Sequence, residues 1–167
     1  SELLYNHDLK EELECGSACT LADSRYILVE FLPQEDWRYI RNGIYELVCA
    51  GFIPVLAHGE RCANVVKDLQ RMQELKDLGC LIQVNSASIL GKAGHAYKKI
   101  SRRLLWKMLP DFVATDAHRD KGNRVVAIKK CAVWLKRKCG ADYAEKLLFK
   151  NAEKILNDSE IQQGEQK

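Results

Sequence analysis

Short apolar, β-branched runs alternate along this chain with longer stretches of helical periodicity, and this alternation constrains the fold more than any other feature. The runs are Tyr26–Phe31 (YILVEF), Ile53–Ala57 (IPVLA), Cys80–Asn85 (CLIQVN) and Phe112–Thr115 (FVAT). They are nearly continuous in apolar residues rather than alternating, as strands covered on both faces must be, which predicts a parallel α/β architecture. Between them, Asp36–Ala50 carries Ile40, Ile44, Leu47 and Val48 at helical spacing and stops before Gly51, and Asn64–Leu78 carries Val65, Leu69, Met72 and Leu75 and stops before Gly79. Glycine just past the last periodic residue is a helix terminator, because it takes the left-handed conformation without steric cost. Further helices are predicted over Gly94–Leu109, over Arg124–Cys139, and as two short pieces in Ala141–Leu156. Met72, Trp106 and Trp134 fall on these stripes and read as core. The residues from Asn157 onward are polar and are expected to fray, leaving one domain over 1–156 and a tail over 157–167.

A chain of 167 residues with 47% hydrophobic and 29% charged residues suffices for one domain with a real core. Twenty-six basic residues against twenty-three acidic ones leave +3, too little to indicate a nucleic-acid partner. The Lys136-Arg137-Lys138 cluster reads as a solvated helix end that complements the helix dipole. No apolar run approaches the length of a membrane span and no secretory signal is present, so membrane insertion is not expected. The seven cysteines include no C-x-x-C pair; Cys49, Cys80 and Cys131 sit in apolar runs and read as buried small hydrophobes. A reduced, cytoplasmic compartment is the expectation. The chain opens Ser-Glu-Leu-Leu-Tyr without an initiator methionine, as a fragment, processed form or trimmed chain would.

The chemistry lies at the carboxyl end of each strand. Glu30 ends YILVE, His58 comes directly after IPVLA, Asn85 ends CLIQVN, and Asp116 and His118 come just after FVAT. In parallel sheets and barrels the loops at the carboxyl ends of the strands converge, so these groups point to one rim. Oxygen and imidazole donors without thiolate suit Mn²⁺, Fe²⁺ or Zn²⁺ in an open site. Such ions clamp a phosphate and acidify a water. Arg61, three residues after His58, and Arg124, after His118, are placed to pair with the remaining phosphate oxygens. Alone, each residue has a plainer reading: a loop histidine, a surface glutamate, an N-cap aspartate.

The runs Leu21–Phe31, Pro54–Arg61, Gly79–Asn85 through Gly91, Ala114–His118, and Ala144–Phe149 through Leu156 resemble bacterial protein-tyrosine phosphatases of the PHP (polymerase and histidinol phosphatase) superfamily, of the CpsB/CapC type. The resemblance implies a distorted (β/α)7 barrel and a manganese-dependent site of up to three ions. The implied substrate is phosphotyrosine on a bacterial tyrosine kinase of capsule or exopolysaccharide synthesis. It further implies that Glu2, Glu30, His58, Asp116 and His118 are metal ligands, with Arg61 and Arg124 binding phosphate. Glu2, Glu30 and His58 are each 28 residues apart, as one βα unit apiece would place them. Where the family has proline after the histidine and an aromatic after the arginine, this chain has Gly59 and Cys62, which are expected to loosen the phosphate loop. The family's opening His-x-His strand is not in this sequence; the expectations are an incomplete metal shell, an uncovered barrel edge and a tendency to self-associate. His7 and His95 do not substitute for it. The competing readings are a PHP phosphoesterase for a small monoester such as histidinol phosphate, and an inactive remnant. Cys19 to Arg25 and Cys131 to Arg137 match the Cys-x5-Arg spacing of thiol phosphatases, but neither stretch has the glycine such a loop needs.

Overall fold

The computed structural model describes residues 2–117 and 128–162. Five parallel strands, β1 (Glu2–Leu4), β2 (Tyr26–Glu30), β3 (Ile53–Leu56), β4 (Leu81–Asn85) and β5 (Phe112–Ala114), form one sheet in chain order. The helices between and after them are α1 (Leu9–Glu14), α2 (Trp37–Cys49), α3 (Ala63–Val66), α4 (Leu69–Asp77), α5 (Ser86–Leu90), α6 (His95–Trp106), α7 (Ile128–Cys139), α8 (Ala141–Glu145) and α9 (Asn151–Leu156).

The period of two splits each strand between two clusters. Ile27, Val29, Leu56, Ile82, Val84 and Val113 join the large core under the helices, with Ile40, Ile44, Leu47, Met72, Leu75 and Leu104. Tyr26, Val55, Leu81 and Phe112 form a second cluster on the opposite face. The predicted strands therefore form where the apolar runs lie, and both faces are covered at the strands' amino-terminal ends.

The short strand β1 escapes sequence reading because three residues carry no period. Its neighbour Tyr5 anchors it. The Tyr5 ring stacks on Phe31 at 4.8 Å and its hydroxyl donates to Glu46 Oε2 at 2.7 Å. The ring lies directly against Gly43, where a Cβ would stand 2.5 Å from Cζ. Glycine in mid-helix ordinarily weakens a helix; here it admits the ring that fixes the segment carrying Glu2.

Other expectations need correction. Asn64–Leu78 is two helices, because the Asp68 side chain accepts from Gln70 N and starts α4 afresh. Helix α5, closed by Gly91 at φ 82°, is too short to leave a helical period in the sequence. The two short C-terminal helices are present but joined by a π-helical turn over Lys146–Lys150. Trp106 is 66% exposed and Cys49 is exposed, so neither is core, whereas Cys80 and Cys131 are buried. The described part of the tail is docked rather than frayed. Asp158 pairs with Arg25, Tyr26 Oη donates to Ser159 O at 2.7 Å, and Ile161 packs against the second cluster.

Candidate metal centre

Glu2, Leu28 and Glu30 share one face of the sheet, since Glu2 pairs with Leu28 and Leu4 with Glu30. By alternation, His58 belongs with Leu56 on the helix side. It does not stay there. After Ala57, whose N–H bonds Val29 O at 2.8 Å, His58 takes φ 34° and ψ 49°, a left-handed conformation that costs a non-glycine residue about 1–2 kcal/mol. The turn swings the imidazole over the carboxylates. Its Nε2 lies 3.0 Å from Glu2 Oε1 and 3.1 Å from Glu30 Oε2, and one donor atom from each of the three residues falls within 4.8 Å of the others. Asp116 also has positive φ, 50°. Backbone strain at two candidate ligands is a usual companion of function.

The same imidazole tests whether a cation fits. One Nε2–H serves a single acceptor well, yet two carboxylates converge on it, while Nδ1 is buried with no hydrogen-bond partner among the described residues. That distribution is unfavourable for a purely structural histidine. A divalent ion shared by two carboxylates and an imidazole suits the donor set.

A buried polar chain runs out from this cluster. His58 N donates to Gln83 Oε1, Gln83 Nε2 to Asn85 Oδ1 at 2.8 Å, and Asn85 Nδ2 to Asp116 Oδ2 at 3.0 Å. Arg61 Nη2 reaches the same Asp116 oxygen at 3.5 Å. Glu2, Glu30, His58, Arg61 and Asp116, with Leu4, Phe31, Leu32 and Pro33, line a cleft of about 300 Å³. Behind it Glu60 is fully buried, accepting from Ser88 Oγ at 2.6 Å and Asn85 N at 3.3 Å. Burial pushes its carboxyl above the usual carboxylate range, against the pull of those hydrogen bonds. Glu60 thus fastens the turn carrying His58 and Arg61 to β4 and α5.

The structure brings together five of the predicted site residues: Glu2, Glu30, His58, Arg61 and Asp116. His118 and Arg124 lie outside the described residues. Gly59 and Cys62, the two departures from the family in the phosphate loop, are packed into the structure. Both are buried, and a Cβ on Gly59 would stand 3.2 Å from Ile82 Cγ2. Sequence reading missed Glu60, Gln83 and Ser88; only Gln83, a polar residue two before Asn85 in an apolar strand, carried a signal. His7 stacks edge-on against Tyr39 and His95 opens α6, both apart from the cluster. Cys131 is buried with its thiol pushed up to about 12, and Arg25 is held by Asp158, so neither Cys-x5-Arg stretch offers a reactive thiol beside a free arginine.

The family profile described as "Capsular polysaccharide synthesis, CpsB/CapC" matches residues 1–157. The tyrosine-protein phosphatase CpsB of Streptococcus pneumoniae is 33% identical over 166 residues, covering 96% of this chain and 68% of its own length. The tyrosine-protein phosphatase YwqE of Bacillus subtilis is 31% identical over 160 residues, 96% of this chain and 62% of its own. A chain from the crystal structures of YwqE from Bacillus subtilis and CpsB from Streptococcus pneumoniae, metal-dependent tyrosine phosphatases, superposes with a TM-score of 0.88 at 30% identity. That match covers 96% of this chain and 64% of the other. This chain therefore spans about two thirds of such relatives, and it belongs to the CpsB/CapC family of capsular polysaccharide synthesis.

Proposed function

We propose that this chain is a metal-dependent protein-tyrosine phosphatase. The observation that carries the reading is the convergence of Glu2, Glu30 and His58 in one cleft beside Arg61 and Asp116. In this reading Glu2, Glu30, His58, Asp116 and His118 hold divalent ions, Mn²⁺ first and Fe²⁺ or Zn²⁺ with the same donors. Arg61 and Arg124 take the phosphate. A divalent ion there supplies Lewis acidity to the phosphoryl oxygens and lowers the pKa of the attacking water.

The chain's own residues do the rest. Glu2 and Glu30 provide the negative charge that retains the cation, and His58 a neutral donor aimed by its left-handed backbone and by Gln83. Arg61 is held loosely by Asp116, so its guanidinium can turn to two phosphate oxygens with little loss. Cys62, next to Arg61, is buried with its thiol pushed up to about 12, which argues for direct attack by water over a thiol phosphoenzyme. Leu4, Phe31, Leu32 and Pro33 give the cleft an apolar side, which favours an aryl phosphate over a small polar monoester such as histidinol phosphate.

We further read the domain, 1–156, as part of a distorted (β/α)7 barrel, because every described strand pairs with the next in sequence, as barrel winding requires. No described helix is long and apolar enough to cross a membrane, and a cytoplasmic tyrosine kinase of capsule or exopolysaccharide synthesis is the proposed partner. Phosphotyrosine-peptide hydrolysis by the purified chain tests the reading. Loss on chelation, recovery with Mn²⁺ and indifference to cysteine alkylation are expected. Chelator-insensitive hydrolysis, or loss on alkylation alone, overturns it.

A further inference from the structure

Helices α6 and α7 carry nine Lys and Arg residues, four and five respectively, and no Asp or Glu. The whole chain is +3, so the remainder is net −6. The two helices are neighbours, with the Arg102 guanidinium 4.6 Å above the Trp134 ring. Lys99, Arg103 and Trp106 form one exposed stripe at i, i+4, i+7 on α6, and Lys129, Val133, Lys136 and Arg137 form another on α7.

Helix stability explains only part of this. Lys136, Arg137 and Lys138 sit in the last turn of α7, where the dipole favours cations, but Lys129 and Lys130 sit in its first turn, where it opposes them. Elsewhere four surface cations pair with carboxylates: Lys10 with Glu14, Arg25 with Asp158, Arg41 with Glu74, and Lys150 with Glu145. Among the described residues, no α6 or α7 cation makes an ion pair with a carboxylate. Three large apolar side chains stand among these cations, Trp106 66%, Met108 61% and Val133 69% exposed.

We propose that the α6–α7 face docks this protein on an anionic phospholipid surface. Lysine and arginine heads pair with lipid phosphates while their stems and the Trp106, Met108 and Val133 side chains enter the headgroup boundary, the region that receives tryptophan best. The exposed apolar residues decide for a membrane over an acidic peptide, which needs only the charge. The attraction is electrostatic at range and is therefore screened by salt. It is independent of whether the cleft is a phosphatase.

Co-sedimentation of the full 167-residue chain with vesicles tests it. The protein is expected to pellet with vesicles of phosphatidylcholine and phosphatidylglycerol, to stay in solution with phosphatidylcholine alone, and to be released by raised salt. Binding is expected to shift tryptophan emission to the blue, and Trp106→Phe to remove most of that shift. Two independent charge reversals, Lys99→Glu with Arg103→Glu and Lys136→Glu with Arg137→Glu, are each expected to weaken binding at least about tenfold. Circular-dichroism melts check that these exposed changes leave the fold intact. Failure to bind anionic vesicles, binding unchanged by both reversals in folded protein, or tighter binding to duplex DNA or polyglutamate than to the vesicles overturns the proposal.

Discussion

The two ends of one sheet face obey different physics. At the amino-terminal ends of the strands, Tyr26, Val55, Leu81 and Phe112 close into an apolar cluster, with Ile155 and Ile161 packed over it. At the carboxyl ends the same alternation delivers Glu30, Gln83 and Asn85, with Asp116 just past β5, and the face turns polar. Residues two apart in one strand thus serve stability at one end and line the proposed metal site at the other. That separation lets an α/β scaffold keep a strained, charged rim without losing its core.

Substitutions at each end should separate the two roles. The largest effect is expected from His58→Ala, which removes the donor shared by Glu2 and Glu30. Mn²⁺ affinity by titration calorimetry and phosphatase activity should both fall by at least about a hundredfold, since even an outer-shell partner is worth about 10–100-fold. The melting temperature should change little. Leu81→Ala at the opposite end should do the reverse, costing about 2–5 kcal/mol in chemical denaturation while leaving Mn²⁺ affinity intact. A variant of either kind that moves both quantities together would break the comparison.

Glu60 joins the two roles. Glu60→Ala leaves the Ser88 hydroxyl and the Asn85 N–H without their acceptor, at about 1–3 kcal/mol. It should also raise KM for a phosphotyrosine peptide more than it lowers kcat, because the turn carrying Arg61 loses its fastening. Glu60→Gln, which keeps an acceptor, should restore most of the stability.

The core supplies a pH signature of its own. Burial raises the Cys80 and Cys131 thiols from the ordinary 9.0 to about 12. The folded state keeps its protons where the unfolded chain loses them, so this contribution is complete below about pH 9 and disappears as pH rises toward about 12. Between about pH 9 and 10 the loss is about 1 kcal/mol per thiol. Cys80→Ala and Cys131→Ala should flatten that arm of the stability curve measured by denaturant titration. The smallest effect is expected from Tyr26→Phe, which removes the bond to Ser159 O and costs about 1 kcal/mol, read as a shift in denaturation midpoint without change in activity.

Much of this was legible in the chain. The apolar runs placed β2 to β5 and the punctuating glycines ended α2, α4 and α7, because both signals depend on residues close in sequence. The strand-end position of Glu30, His58 and Asp116 was readable for the same reason. What escaped were features set by partners far along the chain. Trp106 had the spacing of a core residue but faces outward, while Asp68, the one local exception, broke a continuous helical pattern by capping α4 at Gln70. A polar tail found Arg25, Tyr26 and a second core to rest on.

The sequence alone determined the parallel α/β order, the residue types at the rim and the local ends of most elements, since period, propensity and turn chemistry act over a few residues. Only the tertiary structure decided that His58 leaves its strand in a left-handed turn to meet Glu2 and Glu30. It also decided that Glu60 is buried behind that turn, and that α6 and α7 meet where Arg102 lies over the Trp134 ring. Each of these depends on contacts between residues distant in sequence, which packing creates and no local pattern records.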